Sequence, residues 1–178
     1  RHQVDLANSL GKTLLFVARQ VKHFQQCGFS AVMTIFGAAL ALGLSLPAIL
    51  SGLATLPCVP GRLERVPGGD GICVLVDYAH TPDALRRVLS TLRTITPGRI
   101  HTVFGCGGDR DAGKRPLMGG IAEAGADVAV VTDDNPRTEE SGVIIAQILA
   151  GMSDADAAHV VPDRAEAIRH AIADAEAG

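Results

Sequence analysis

The sequence predicts an α/β protein with a Rossmann-like, mostly parallel sheet, preceded by a helical segment. Three observations carry that prediction. Short apolar runs bounded by turn residues recur at 72–77, 99–104, 128–132 and 159–161. A stretch with helical spacing follows each of the four. The turns that leave the runs are rich in Gly, Pro, Asp and Asn, as strand-to-helix connections in doubly wound sheets require.

Composition narrows the function. The 178 residues are 47% hydrophobic but only 3% aromatic, so the interior must be built from Ala, Val, Leu, Ile and Gly. That length suffices for one sizeable core or two small ones. A net charge of −3 argues against a nucleic-acid partner, whose site would need a basic face. Cys27, Cys58, Cys73 and Cys106 are scattered and form no metal-ligand spacing with the histidines, as expected of buried thiols in a reducing compartment.

Taken in order, residues 1–27 carry no recognisable pattern. Gly11-Lys12-Thr13 suggests a phosphate loop, but Leu6 stands where its first glycine is needed, so a turn is the better reading. The N-terminus lacks the apolar stretch of a signal peptide, and a start at Arg1 rather than Met is expected of a fragment. Residues 23–61 contain no Asp, Glu, Lys or Arg. That is long enough to span a membrane, but Pro47, Pro57 and Pro60 interrupt it. Two buried helices, near 34–44 and 47–56, are expected instead. Pro57-Cys58-Val59-Pro60-Gly61-Arg62 then marks a boundary. The first regular unit is a fully apolar strand at 72–77 and a helix opened by Thr81 as cap and Pro82 at its first turn. Leu85, Val88, Leu89 and Leu92 give that helix one apolar stripe. Helices at 116–125 and 141–150 follow the next two strands. Asp163 opens a last helix with Ala167, Ile168, Ala171 and Ile172 inward.

Three turns carry candidate chemistry. Asp134, Asn135, Pro136 and Arg137 follow an apolar strand, at the end of the sheet where ligands bind in this architecture. An acid, an amide and a guanidinium fork there suit a small zwitterion; a turn capping the next helix would use the same residues. At Asp77-Tyr78-Ala79-His80-Thr81-Pro82-Asp83, Asp77 could accept from ribose hydroxyls, Tyr78 could pack on a base and His80 could donate to a ligand. A capped helix start with a surface histidine is the alternative. The loop from Gly105 to Pro116 departs from the dinucleotide fingerprint because Arg110 occupies the third glycine position. Its glycines would let backbone approach a ligand, and Arg110 would lie beside Arg137 because both follow adjacent strands. Two guanidiniums meeting in one small site imply an anion between them; a solvated charged loop is the alternative.

Together these segments resemble a known family. Val59-Pro60-Gly61-Arg62-Leu63-Glu64-Arg65-Val66, the Asp77 heptad, the run from Gly107 to Pro116 and the Asp134 tetrapeptide match, in order and spacing, the Mur ligases of peptidoglycan synthesis. The match is nearest to the tripeptide synthetases of the meso-diaminopimelate-adding kind and covers about residues 37–178. The resemblance implies that residues 1–60 are the end of a central ATPase domain, with 1–27 unassigned, and that 61–178 are most of a C-terminal Rossmann-like domain. It implies a cytoplasmic, monomeric ligase that uses ATP and Mg²⁺. ATP would phosphorylate the D-Glu carboxylate of UDP-MurNAc-L-Ala-D-Glu, and the amine of meso-diaminopimelate would displace phosphate. By the same resemblance Arg62 reaches the ATP γ-phosphate as a catalytic group. Asp77, Tyr78 and His80 contact the nucleotide. Arg110, Asp134, Asn135, Pro136 and Arg137 hold diaminopimelate. Lysine-adding relatives lack an arginine at the position of Arg137, which makes Arg137 the basis for expecting diaminopimelate. Charge-assisted bonds of this kind contribute roughly 1.5–3 kcal/mol each.

Departures from the family pattern are equally specific. Its P-loop, its carbamylated lysine and its sugar-nucleotide domain do not occur in these residues. Ser30 and Met33 stand where two asparagines are usual. The chain stops at Gly178, short of an expected Gly-Lys-Gly-His-Glu segment that completes the amino-acid pocket. A lysine-adding Mur-type ligase, or a truncated remnant without catalysis, are the competing expectations.

Overall fold

A computed structural model of the chain describes residues 14–19, 29–54, 60–66 and 71–177. In order, it contains β1 (Leu14–Arg19), α1 (Phe29–Ala41), α2 (Leu46–Ala54), β2 (Glu64–Val66), β3 (Ile72–Asp77), α3 (Pro82–Ile95), β4 (Ile100–Phe104), α4 (Lys114–Gly125), β5 (Val128–Val131), α5 (Ser141–Leu149), a 3₁₀ turn (Ala155–Ala157), β6 (His159–Val160) and α6 (Arg164–Ala177). The tempting Gly11-Lys12-Thr13 segment, Cys27-Gly28 and Pro57-Cys58-Val59 of the boundary lie outside the described residues.

The six strands form one sheet in the order β2-β3-β1-β4-β5-β6. β4, β5 and β6 are parallel neighbours. β1 is antiparallel to both β3 and β4, so β3 runs in the same direction as β4. Four strands thus share one direction, as the alternation of strand and helix requires. The central place of β1 was not legible in the sequence, which assigned no element to residues 14–19.

Side chains alternate across the sheet because strand periodicity is two. One face contributes Cys73, Leu75, Ile100, Phe104, Ala129 and Val131, which pack with Leu85, Leu89 and Leu92 of α3, Met118 and Ala122 of α4, and Ile144, Ile145 and Ile148 of α5. The other contributes Ile72, Val74, Val76, Val103, Val128 and Val130, packed under Ala167, Ile168, Ala171 and Ala175 of α6. Both faces of β3, β4 and β5 are therefore covered, which explains their uninterrupted apolar runs. Truncating a fully buried Leu85 or Leu89 to Ala would cost about 2–5 kcal/mol. Thr81 caps α3 by accepting the Ala84 amide at 3.3 Å, and Asp163 caps α6 by accepting the Glu166 amide at 2.8 Å.

The two helices expected to be buried are not. α1 and α2 pack on each other, and Ile49 is buried, but Ile35, Leu40, Leu42, Leu44, Leu46 and Leu50 are exposed. Helices apolar around most of their circumference cannot all be covered by a single partner helix. No helix among the described residues is long and apolar enough to cross a membrane.

His101 is 1% exposed on the α6 side of β4, and its Nδ1 lies 3.3 Å from Asp174 Oδ2. Burial pushes its pKa below the ordinary 6.5; Arg99 and His159 push the same way, whereas Asp174 and Asp127 oppose them. The fold therefore favours the neutral ring. Below about pH 6.5 the unfolded chain takes up a proton that the folded chain resists, so this contribution to stability is full above that pH and declines as pH falls. Thermal unfolding should begin lower at pH 5.5 than at pH 7.5, and a His101→Asn variant should show a smaller difference.

Candidate functional site

The shared strand direction brings the turns after β3, β4 and β5 to one edge of the sheet. There they enclose a cleft of about 280 Å³ lined by Tyr78, His80, Gly107, Arg110, Lys114, Asp134, Asn135 and Arg137. Six of these come from the nine residues singled out in the sequence. Arg110 and Arg137 do meet in one site. Three cationic side chains face one carboxylate, so the cleft favours an anionic group.

The turn after β3 is organised by Asp77. Its carboxylate accepts the Leu63 amide at 2.9 Å and the Ala79 amide at 2.8 Å. Burial raises its pKa, while those two amides and Arg62 oppose the shift. Asp77 is thus buried and tied to backbone, rather than lining the cleft. The Tyr78 amide donates to the Gly61 carbonyl at 2.7 Å, and the Gly61 amide donates to Glu64 Oε2 at 2.8 Å. These bonds fix the turn that carries Arg62, whose guanidinium lies 5.6 Å from the centre of the Tyr78 ring. Tyr78 is 40% exposed, and its ring meets that of His80 edge-on at 5.3 Å. Arg62, Tyr78 and His80 form one continuous cation-and-ring surface beside the cleft. Arg62 itself does not line the cleft, nor does Pro136.

The other two turns are bolted together backbone to backbone. The Gly108 amide donates to the Asn135 carbonyl at 3.1 Å. A Cβ at Gly108 would overlap the Pro136 carbonyl, and one at Gly105 would overlap the Thr132 carbonyl. The glycines expected to admit a ligand therefore admit the neighbouring loop; Gly107 alone of the three lines the cleft. Asp109 accepts from the Thr138 hydroxyl at 2.7 Å. Three non-glycine residues here, Asp109, Asn135 and Arg137, have φ of 51°, 41° and 56°. Such left-handed backbone persists only where surroundings impose it.

Sequence reasoning missed the groups behind this. Arg115, at 0% exposure, donates to Glu139 Oε2 and Oε1 at 2.8 Å each, to Gln147 Oε1 at 2.6 Å and to the Gly107 carbonyl at 3.3 Å. Glu139 Oε1 also accepts the Asp109 amide at 2.6 Å. Bonding to Arg115 first, and to that amide second, holds the Glu139 pKa down to about 2, so the pair is ionised at neutral pH. Arg164 reaches the Asp133 carbonyl at 3.3 Å, and Ser141 donates to Asp133 Oδ2 at 2.8 Å. Lys114 donates to the His80 carbonyl at 2.8 Å, joining the first turn to the second. Lys114 and Arg115 lay within a noted motif, but nothing in their spacing revealed partners 34 and 24 residues away.

Cationic and acidic turns are thus gathered at the strand ends of an α/β domain. The chain belongs to the Mur ligase family: residues 61–178 match its glutamate ligase domain. It is 54% identical over 146 residues to the UDP-N-acetylmuramoyl-L-alanyl-D-glutamate--2,6-diaminopimelate ligase of Pseudomonas aeruginosa, across 82% of this chain and 30% of that protein. It is 50% identical over 154 residues to the ligase of the same name from Gloeobacter violaceus, across 86% and 32%. A solved structure of a ligase of that name aligns with a TM-score of 0.56 at 40% identity, covering 79% of this chain and 28% of that one. Mycobacterium tuberculosis folylpolyglutamate synthase shares the fold, with a TM-score of 0.60 at 24% identity over 83% and 33% of the two chains. The chain thus spans about 30% of the curated relatives it matches.

Replacing Gly108 by Ala should separate the two loops, because the added methyl must displace the Pro136 backbone. Melting should shift down by several degrees, as expected for about 1–3 kcal/mol of overpacking in a chain of this size. Amides of residues 107–109 and 135–138 should show the largest NMR shift changes.

Proposed function

We propose that this chain carries the amino-acid pocket and part of the nucleotide-contact surface of an ATP-dependent ligase. The whole enzyme would join meso-diaminopimelate to the D-Glu carboxylate of UDP-MurNAc-L-Ala-D-Glu. The observation that carries this reading is the convergence of Arg110, Lys114 and Arg137 with Asp134 on one cleft. Relatives about 50% identical that bear this ligase's name support it.

In this reading Arg137 and Arg110 take up a carboxylate of the amino acid through charge-assisted bonds. Asp134 and the Asn135 side chain receive its ammonium group. Holding that end fixes the amine to be joined. The amine nitrogen then forms a bond to the acyl carbon, the carbon–oxygen bond to phosphate breaks, the amine loses a proton and phosphate departs. Arg62, on the neighbouring ring surface, would stabilise negative charge on the transferring phosphoryl group, with Tyr78 and His80 beside the nucleotide. Asp77 serves the nucleotide indirectly, by fixing the turn that bears Arg62. Mg²⁺ would accompany ATP, but the described residues include no cluster of His, Cys, Asp or Glu able to hold a metal ion. We further propose that residues 61–178 work as the C-terminal domain of a cytoplasmic, monomeric parent enzyme.

Two outcomes follow. The 178-residue chain by itself should give no ATP turnover dependent on diaminopimelate in a phosphate-release assay, because phosphoryl transfer needs a positioned triphosphate and its metal. Within a full-length enzyme, Arg137→Ala should lower the preference for diaminopimelate over lysine by at least about tenfold in a competition assay. A full-length enzyme that prefers lysine without any substitution would overturn the choice of amino acid.

A further inference from the structure

We propose that Arg115 and Glu139 are positioning residues that hold the two site loops in register, so that Arg110 and Arg137 face one ligand. The inference deepens the amino-acid pocket reading and rests on it. Neither residue lines the cleft. Arg115 is fixed on the first turn of α4 and is 0% exposed. Glu139 follows Arg137 by two residues on the opposite loop. The two-pronged bond between them spans the gap, at 2.8 Å for each prong. The oxygen that receives one prong also takes the Asp109 amide at 2.6 Å. That amide belongs to the residue immediately before Arg110, and its backbone is left-handed at φ 51°. One carboxylate on the second loop therefore ties α4 to the strained residue of the first.

Charge explains why a tie is needed. Arg110 and Arg137 repel each other across the cleft when no anion lies between them. Left to themselves, two exposed loops with strained backbones would relax apart. A buried fork resists that motion better than a surface pair would, since bidentate geometry fixes orientation as well as distance. The pair touches no ligand, so it sets how well the cationic groups are placed for a carboxylate. Its loss should weaken binding of the amino acid rather than slow the attack of its amine.

The test uses the 178-residue chain and three variants. Arg115→Met with Glu139→Leu removes both charges at similar volume, an exchange that cores often tolerate. Arg115→Lys keeps the charge and loses the fork. Arg137→Ala removes a ligand contact and leaves the tie. Amide hydrogen exchange, thermal melting and titration with meso-diaminopimelate followed by NMR are measured on each. In the double variant, exchange at Gly108 and Asp109 should accelerate by about tenfold or more while amides of β4 and β5 keep their protection. Its diaminopimelate affinity should fall by about tenfold or more, as small misplacements of binding groups do elsewhere. Arg115→Lys should fall between the double variant and the unmutated chain, and Arg137→Ala should lose affinity with its loop amides still protected. Unchanged exchange at Gly108 and Asp109 in the double variant would overturn the proposal. If that variant does not fold, the same measurement on Arg115→Lys decides: faster local exchange supports the tie and unchanged exchange refutes it. If the unmutated chain binds no diaminopimelate, exchange alone decides whether the pair holds the loops. The affinity comparison is then made with the same substitutions in a full-length enzyme, where absence of binding without any substitution would overturn the pocket reading.

Discussion

Strand direction is the constraint on which everything else here depends. β1 lies antiparallel between β3 and β4, which obliges those two to point the same way. β5 and β6 continue in that direction. The turns that line the cleft leave the carboxyl ends of β3, β4 and β5, and the Arg62 turn joins that edge from the start of β2, which runs antiparallel to β3. Had β3 been reversed, Tyr78 and His80 would lie at the far edge from Arg110 and Arg137. The cores on the two faces serve this geometry, because α3, α4 and α5 cover one side and α6 the other. With both faces buried, register is costly to change, and the strand ends stay where the site needs them.

Within that frame, unusual backbone is concentrated at the site. The four non-glycine residues with positive φ among the described residues are Leu63, Asp109, Asn135 and Arg137. Leu63 adjoins Arg62; the others adjoin or include the cleft residues. Leu63, Asp109 and Asn135 are held by polar bonds that reach far along the chain. Leu63 donates to Asp77, Asp109 to Glu139, and the Asn135 carbonyl receives the Gly108 amide. Pairs with large sequence separation act here as clamps on local conformations the chain would not adopt alone. The clamps are themselves charged or buried, so the site is stiff before any ligand arrives, which is the condition for binding a small polar molecule at low entropic cost.

Electrostatics divides the charged residues into two groups. Asp77, Arg115, Glu139 and Asp133 spend their charge on backbone groups and neighbouring side chains, and Lys114 also donates to the His80 carbonyl. Arg110, Lys114, Asp134 and Arg137 line open space. The second group faces the cleft, and its excess of positive charge suits an anionic group. An Asp at a strand end is therefore no guide by itself to function. Asp77 ends β3 and Asp134 stands three residues past β5; one carries the turn and the other faces the cleft.

The sequence by itself determined the local elements: the apolar strand at 72–77, the Thr81 cap, the stripe of Leu85, Leu89 and Leu92, and the loops bearing Arg110 and Arg137. These depend on periodicity and turn chemistry within a few residues, which a sequence displays directly. The motifs also made the family legible, because four of them fall in one order and spacing. Tertiary structure alone decided the rest. It put residues 14–19 at the centre of the sheet, left Ile35, Leu40, Leu46 and Leu50 of α1 and α2 exposed, turned Asp77 inward and paired Arg115 with Glu139. In each case the deciding partner is distant in the chain, and no local pattern encodes a partner that only folding brings near.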